Sequence, residues 1–479
     1  MRAAGDGLRG LLGALWLKPA GAARTKVASI AADRSGSVAI IFALSLIPIV
    51  FLVGMALDFS SAMQKRALLN AAADAAALAA VTPAMMSQSN AAVTTVAANI
   101  FNAQAAAIPS LQYNPPSIVV TNNGLTRTVT VSYSAASTNT FGSILGAATW
   151  PLSGSSQAAS TAAPNINFYL LLDNSPSMAL PATSAGITAM INATKNAPAN
   201  GGNAGGCAFA CHESNPAADN LGNPNGEDNY TLAKNLGIVT RIENMASATQ
   251  SLMTTAAATE QSNNATYQVA IYTFDPSGNP GGNSLKGLYT VQQLTSNLTS
   301  AQKAAGNINV LEVYSNNLLT SSSNNSDTDT DFASAMSQIN GIMPNPGTGA
   351  ANSTPQEVLF IVTDGVDDKI DSTCSEATVS TSIGIRCQQP FDTSWCTTVK
   401  NRGILIAVLY TEYLPLPASG TGSNSWYNSY VAPYQSLIGP NLESCASPGL
   451  YFAITTDGDI TAAMQALFQQ AVTTARLTQ

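Results

Sequence analysis

The sequence predicts an α/β protein in which an N-terminal apolar helix precedes a small α+β region and a larger doubly wound domain. Three observations support this prediction. Residues 35–57 are apolar and uncharged, the stretch after them is rich in alanine, and from Asn165 onward apolar strands alternate with helices. Near-continuous apolar strands that alternate with helices are typical of a mostly parallel sheet covered on both faces.

The composition excludes several classes of protein. The chain has 479 residues, of which 46% are hydrophobic and only 10% are charged, and its formal net charge is −8. The net negative charge argues against a nucleic-acid binder, which needs a basic face, and the apolar content argues against general disorder. His212 is the single histidine, so any histidine-dependent chemistry must use that residue.

The N-terminal helix is the first element. Residues 1–34 contain six basic and two acidic residues, and residues 35–57 form an uncharged apolar run. A run of this length spans a bilayer core of about 30 Å at a rise of about 1.5 Å per residue. The positive-inside tendency predicts a cytoplasmic basic tail at 1–34, a transmembrane helix at 35–57 and an external remainder. A buried core helix and a cleaved secretory signal are the alternatives.

Residues 58–164 are predicted to form the small α+β region. The helix is expected to continue through an alanine-rich stretch, so that one rod runs from about Val38 to Val81 and ends before Pro83. A second alanine-rich stretch covers Ala91–Ala107, and the Asn-Gly of the segment "NNGL" predicts a β-hairpin turn. The end of this region, at Pro164, is interpreted as a linker.

Residues 165–479 are predicted to form the doubly wound domain. The expected buried strands are Ile166–Asp173, Tyr267–Phe274, Glu357–Asp364, Gly403–Thr411 and Leu450–Thr455. The expected helices include Tyr230–Ala257, Asp331–Ile342 and Ile460–Thr474. Polar insertions are expected at Asn196–Asp228, Ser315–Thr328 and Pro415–Ser447.

Oxygen-bearing side chains cluster at the predicted strand ends. The first strand ends in Asp173, Ser175 and Ser177; Thr330 precedes a helix, and Asp364 ends another strand. Ligands of doubly wound sheets gather beyond the carboxyl ends of strands, and carboxylate and hydroxyl oxygens suit a hard cation such as Mg²⁺. The alternative is that the aspartates only cap helices. Thr328 is a near neighbour that competes with Thr330.

The order Asp-x-Ser-x-Ser, then Thr, then strand-Thr-Asp-Gly resembles the von Willebrand factor type A domain, over about Asn165–Thr474. The resemblance implies a Rossmann-like fold with a metal-ion-dependent adhesion site for Mg²⁺ (or Mn²⁺). Its ligands would be the hydroxyls of Ser175, Ser177 and Thr330 and the carboxylates of Asp173 and Asp364. It further implies no catalysis, because an acidic side chain of a partner protein completes the metal shell. Pro176 departs from the glycine that many members carry.

All six cysteines follow the apolar run, which predicts disulfides in an oxidising compartment. They are Cys207, Cys211, Cys374, Cys387, Cys396 and Cys445. The pattern C-x-x-x-C-H formed by Cys207, Cys211 and His212 is one residue longer than the usual c-type haem attachment pattern. Haem and zinc remain alternatives, but a local disulfide in an exposed loop is preferred.

The segment from Asp33 to Ala80 resembles the N-terminal segment of TadE/TadG-like proteins of Tad (tight adherence, Flp-type) pilus assembly, and the "AADAAALA" around Asp74 carries much of the likeness. Together with the A-domain motif, it resembles the TadG branch. The resemblance implies a pilin-like region at 58–164 and a single-pass protein of the bacterial inner membrane with its bulk in the periplasm.

Expected partners are other pilus-assembly proteins and, through the helix, other TadE-like proteins. A surface adhesin, a minor pilus component and a redox enzyme are the alternatives. Ile41 stands where prepilin-like relatives carry glutamate, which argues against processing after Gly36.

Overall fold

The structure is a computed structural model. It describes residues 35–196, 206–213, 216, 223, 226–274, 287–313, 330–374, 377–381, 384–413, 416, 423–455 and 457–477. The predicted basic tail and Thr328 lie outside these residues. The described chain forms two compact units, one made of residues 35–77, 95–118 and 130–157 and the other of residues 78–94, 119–129 and 158–477.

Helix α1, Ser35–Ala79, is the main element of the smaller unit. It is continuous over 45 residues with Pro48 inside, which confirms the predicted rod to within a few residues. In the described part of the chain it is the one helix long and apolar enough to cross a membrane, and its most apolar window is only 6% buried. Such exposure is unlike that of a core helix, and it fits either a membrane anchor or a signal.

From Ala62 onward, one face of the helix is buried. Ala62, Leu69, Ala72 and Ala76 are fully buried, at the three- and four-residue spacing of one helix face. The short helix α2 (Pro83–Met86) and helix α3 (Asn90–Ala106) follow. Because alanine side chains are small, neighbouring elements of the same chain approach this face closely.

A four-stranded sheet accompanies these helices. Its strands are β1 (Leu111–Tyr113), β2 (Ser117–Asn123), β3 (Thr126–Thr138) and β4 (Thr149–Thr161). Strands β2 and β3 are neighbours and flank a turn in which Gly124 has φ 55°, so the predicted hairpin is confirmed. Strand β4, which the sequence did not predict, pairs with β3 and leaves only residues 162–165 as a connection.

The larger unit is built on a six-stranded sheet, β13-β12-β8-β5-β6-β7 in spatial order. Its strands are β5 (Ile166–Leu172), β6 (Tyr267–Thr273), β7 (Tyr289–Thr295), β8 (Gln356–Thr363), β12 (Leu405–Thr411) and β13 (Tyr451–Ile454). All neighbours are parallel except β6 and β7. The five predicted strands are therefore confirmed, and so is the doubly wound α/β class.

Helices cover both faces of this sheet. They are α4 (Ser184–Thr194), α5 (Asn229–Asn235), α6 (Arg241–Asn263), α7 (Leu298–Ala305), α8 (Phe332–Ile342), α9 (Ser394–Asn401), α10 (Ser423–Tyr430), α11 (Gln435–Cys445) and α12 (Ile460–Leu477). Alternate residues of β5 enter two different apolar clusters: Phe168 and Leu170 lie in one, Tyr169 and Leu171 in the other. Burial on both faces explains why the strands are continuously apolar.

The single helix predicted for Tyr230–Ala257 is wrong. The structure has two helices, α5 and α6, separated by Gly237 with φ 69°. Thr240 and Glu243 then form a capping box that starts α6. A left-handed glycine ends one helix and a reciprocal cap begins the next, and these local signals outweigh the apolar periodicity that runs through both.

A second small sheet follows β8. Strands β9 (Val366–Ile370), β10 (Ala377–Thr381) and β11 (Gly384–Pro390) pair antiparallel in the order β10-β11-β9. The sequence did not predict it, because its strands are short and polar. Asp368 and Arg386 form a buried ion pair across β9 and β11.

The structure contains two disulfides. Cys374 is joined to Cys387 and Cys396 to Cys445, so these four cysteines pair among themselves. Cys207 and Cys211 are both buried, so the expectation that they lie in an exposed loop is wrong, and the bond expected between them stays a prediction.

Candidate metal centre at the sheet edge

Strand register brings the two predicted carboxylates together. Strands β5 and β8 are parallel neighbours with Leu172 opposite Val362, so Asp173 and Asp364 leave the sheet side by side. Strand order also reverses here, because β6 lies on one side of β5 and β8 on the other. A crevice at such a switch point is where doubly wound sheets bind their ligands.

Asp173 is fixed by hydrogen bonds on both carboxylate oxygens. The backbone N–H of Ser175 donates to Oδ1 at 2.9 Å, and the Thr363 hydroxyl donates to Oδ2 at 2.7 Å. The backbone N–H of Asp173 itself donates to the Val362 carbonyl at 2.9 Å. Asp173 therefore has no freedom to swing out of the sheet edge.

Asp364 is held by an unusual backbone turn. Gly365 follows it with φ 79°, a conformation that favours glycine. A Cβ at Gly365 would lie 2.5 Å from Ile438 Cγ2 of helix α11. Oδ1 of Asp364 accepts the Val366 N–H at 3.3 Å, whereas Oδ2 is buried and accepts no hydrogen bond within the described part of the chain.

The two predicted serines lie in the turn after β5. Their hydroxyl oxygens are 2.8 Å apart, and Ser177 belongs to a short 3₁₀ turn, Pro176–Ala179. Pro176 occupies the first position of that turn, where its fixed φ is compatible with a helix start. The departure from glycine at this position thus leaves the serine hydroxyls together.

Thr330 reaches the same edge through another element. Its N–H and C=O pair with the backbone of Asp368 in β9, at 3.0 and 2.9 Å. The Asp367 carboxylate accepts the Phe332 N–H at 3.0 Å and so fixes the start of α8. Within the described residues, no hydrogen bond joins the Thr330 hydroxyl to the other four predicted ligands. Sequence reasoning missed Asp367, although it follows Asp364 by only three positions.

Arg241 is a second residue that sequence reasoning missed. It is buried at the first position of α6, and its Nη2 donates to the Glu412 carbonyl at 2.9 Å. Burial lowers the pKa of Arg241, and the negative charges of Asp364 and Asp173 oppose that shift. No local motif marks this arginine, because the fold brings it from a helix 68 positions after Asp173 in the sequence.

The carboxylates resist ionisation without a cation. Burial raises the pKa of both Asp173 and Asp364, and the charge of Asp173 raises that of Asp364 further. The Ser177 hydroxyl and Arg241 act in the opposite direction on Asp364. Two fully buried carboxyl groups that disfavour each other's ionisation form a site that favours a positive charge.

The donor set fits a hard divalent cation. It offers two carboxylates, one with a buried oxygen that lacks a donor, and two adjacent hydroxyls. Mg²⁺ prefers oxygen ligands and usually retains several waters. The described residues contain no group of three histidine, cysteine or acidic side chains that could hold a metal ion, so this part of the chain offers no comparable zinc-type site.

The cysteine-containing insertion packs beside this edge. The Ala210 N–H donates to the Ala179 carbonyl at 3.2 Å, directly behind the turn that carries Ser177. His212 lies between two carboxylates, with Nδ1 2.7 Å from Asp228 and Nε2 3.3 Å from Glu312. Since both ring nitrogens face carboxylates, this arrangement disfavours His212 as a haem ligand.

Comparison with protein families identifies the front of the chain. Residues 36–97 match the Tad family model, described as "Putative Flp pilus-assembly TadE/G-like". This TadE/G-like segment runs from the start of α1 into α3. It covers residues 36–80 of the segment Asp33–Ala80 on which the sequence resemblance was based. No curated protein matches the chain.

Comparison with solved structures finds weak similarity to pilus proteins and to von Willebrand A domains. The pilus adhesin SpaC from Lactobacillus rhamnosus GG, in its open conformation, is 13% identical with a TM-score of 0.33, over 77% of this chain and 34% of SpaC. The vWF domain of the type V pili tip protein Mfa5 from Porphyromonas gingivalis is 8% identical with a TM-score of 0.32, over 66% of this chain and 97% of that domain.

A von Willebrand factor type A protein from Catenulispora acidiphila is 9% identical with a TM-score of 0.28, over 77% of this chain and 51% of that one. The chain thus spans about a third of the length of SpaC. Because these similarities are low, the fold assignment rests on the strand order and register described above.

Proposed function

We propose that this chain is a membrane-anchored component of Tad (Flp-type) pilus assembly that binds a protein partner through a divalent cation. The cation, Mg²⁺ (or Mn²⁺), would be held by Asp173, Ser175, Ser177, Thr330 and Asp364, and α1 would anchor the chain in the bacterial inner membrane with its bulk in the periplasm. The TadE/G-like segment supports the pilus role. The two buried carboxylates at the switch point carry the binding role.

The chain's own residues act by orienting oxygen atoms. Thr363 and the Ser175 backbone hold the Asp173 carboxylate in one orientation, and the Gly365 turn aims Asp364 at the same crevice. A bound cation would supply an open coordination position that an acidic side chain of a partner can fill. The proposal assigns binding and no catalysis to this site.

Metal and partner binding are expected to be linked. If the partner's carboxylate completes the shell, metal raises partner affinity and partner raises metal affinity by the same factor. Two carboxylates near a buried arginine make a site of moderate charge, so we expect weak binding of the metal alone. Association with other TadE-like proteins through α1 would use its exposed side chains, since its alanine face is buried.

The decisive experiment compares two aspartate variants of the detergent-solubilised full chain. Asp173→Asn keeps the shape of the side chain and removes its charge, whereas Asp392→Asn makes the same change at an exposed residue that accepts the Ser394 N–H. We expect Mg²⁺ to raise the melting temperature of the wild type and of Asp392→Asn but not of Asp173→Asn, because a ligand stabilises only the protein that binds it.

Partner binding supplies the second measurement. Pull-downs from pilus-producing cells, with and without chelator, should recover chelator-sensitive partners with the wild type and with Asp392→Asn. Asp173→Asn should recover none of them. A folded Asp173→Asn protein that still captures the same partners without sensitivity to chelator would contradict the metal-dependent mechanism.

A further inference from the structure

A short loop stands against the last turns of the apolar part of α1. It comprises Asn139–Trp150, which includes the 3₁₀ turn Gly142–Leu145 and the start of β4, and it lies in the same compact unit as that helix. Gly54 contacts the Phe141 ring so closely that a Cβ added at Gly54 would overlap it. Since Gly54 belongs to the apolar run 35–57, the loop stands at the level of that run.

Asp58 fastens the loop in place. Its carboxylate accepts the backbone N–H groups of Thr140, Phe141 and Gly142 at 2.9, 2.9 and 2.8 Å. Asp58 is the first charged residue after the apolar run, and its side chain is only 9% exposed. The charge is therefore satisfied by the loop instead of facing the surroundings of the helix.

The next charged side chain on the helix, that of Lys65, is also buried. Lys65 is 9% exposed, and its Nζ donates to the Ser110 carbonyl at 3.0 Å and to the Ser137 hydroxyl at 2.9 Å. The first charged side chain on α1 that is exposed is Arg66. Twelve residues separate it from Gly54, which corresponds to about 18 Å of helix at about 1.5 Å per residue.

The loop itself presents apolar side chains. Ile144 is 69% exposed, Leu145 58% and Trp150 36%. Trp150 packs edge-on against Phe59 of α1, with ring centroids 5.3 Å apart. The sequence has no charged residue between Arg127 and Asp173, so no charged side chain of the loop requires full hydration.

We propose that Phe59, Ile144, Leu145 and Trp150 form a second membrane contact, inserted in the interfacial layer of the bilayer that α1 crosses. This proposal rests on the membrane anchor proposed above. Because the loop contacts α1 at Gly54, the medium that surrounds the helix at that level also surrounds the loop. Tryptophan beside aliphatic residues is characteristic of the headgroup boundary, where interfacial anchors set the depth and tilt of a spanning helix.

Tryptophan fluorescence tests this contact in the full chain. The sequence has four tryptophans, so Trp16→Phe, Trp395→Phe and Trp426→Phe leave Trp150 as the only one. In vesicles of phosphatidylcholine brominated near the headgroup end of its acyl chains, Trp150 should lose most of its emission relative to unbrominated vesicles. A matched variant that retains Trp395 alone should keep its emission.

A second variant separates membrane contact from protein contact. Ile144→Ser with Leu145→Ser should reduce the quenching of Trp150, while the protein still floats with vesicles because α1 is unchanged. Unquenched Trp150 in protein that floats would overturn the loop contact and leave the anchor standing, as would a photo-crosslinker at Leu145 that captures a second copy of the chain. Protein that does not float would overturn both the anchor and the loop contact.

Discussion

Glu357 shows how a buried carboxyl group contributes to the pH response of the larger unit. It is 1% exposed in β8, and Asn167 of β5 donates to its Oε1 at 3.0 Å. Burial raises the pKa of Glu357 to about 8, although the Asn167 amide and the Arg402 charge lower it. The folded protein therefore keeps a proton on Glu357 that the unfolded chain loses near its ordinary pKa of 4.5.

The sign of the pH effect follows from proton binding. Between the ordinary pKa and about 8, the native state holds more protons than the unfolded state, so the free energy of unfolding falls as pH rises. The slope is at most about 1.4 kcal/mol per pH unit for one group. We expect Glu357→Gln to flatten this dependence, measured by urea unfolding at several pH values in chelator. The range in which Glu357 should lower stability runs from about pH 5 to about pH 8. A wild type whose stability rises steadily across this range would contradict the prediction.

The site residues differ in how far sequence could predict them. Asp173, Ser175 and Ser177 follow one strand, so local spacing was sufficient to group them. Asp364 joins them because β8 is the parallel neighbour of β5. Arg241 could not be predicted, because its position depends on how α6 packs against the sheet edge and not on any nearby motif.

At the scale of elements, helix α11 supports the turn at Gly365 that follows Asp364. It packs against Gly365, where its Ile438 and Leu442 side chains leave no room for a Cβ. The Cys396–Cys445 disulfide ties the end of α11 to α9 across 49 positions of sequence. Helix position and loop conformation are thus coupled through this bond.

Removal of that disulfide is expected to affect both stability and metal binding. Cys396→Ala with Cys445→Ala should lower the free energy of unfolding by about 2–4 kcal/mol, and it should weaken Mg²⁺ binding because α11 is released. Urea unfolding and a Mg²⁺-dependent thermal shift measure the two effects. The matched control is Cys374→Ala with Cys387→Ala, which removes a disulfide that closes a loop of only 13 positions. We therefore expect a smaller loss of stability and little change in Mg²⁺ binding. Equal effects in both variants would count against the role of α11.

For the whole molecule, the prediction concerns topology. The basic segment before the apolar run predicts a cytoplasmic N-terminus and an external bulk. Alkaline phosphatase fused after Gln479 should be active, since it folds only in an oxidising compartment, and β-galactosidase at the same position should be inactive. The reverse pattern would place the larger unit in the cytoplasm and make its disulfides unlikely to persist.

Cell fractionation distinguishes the assembly role from the adhesin alternative. A pilus-assembly component anchored by α1 should remain in the inner membrane when pili are sheared from cells. A minor pilus component or surface adhesin should appear in the sheared fraction. Recovery of most of the chain with sheared pili would therefore contradict the proposed inner-membrane location.

The sequence by itself determined the long apolar helix, the five parallel strands and the order of the oxygen-bearing motifs. These features are local: they depend on runs of apolar residues and on side chains that follow a strand directly. Only the tertiary structure decided the polar sheet β9–β11 and the edge strand β7. Short polar strands exist only because a partner strand satisfies their backbone groups. The same holds for Thr330, whose place at the sheet edge depends on pairing with Asp368, a contact between segments that no local pattern connects.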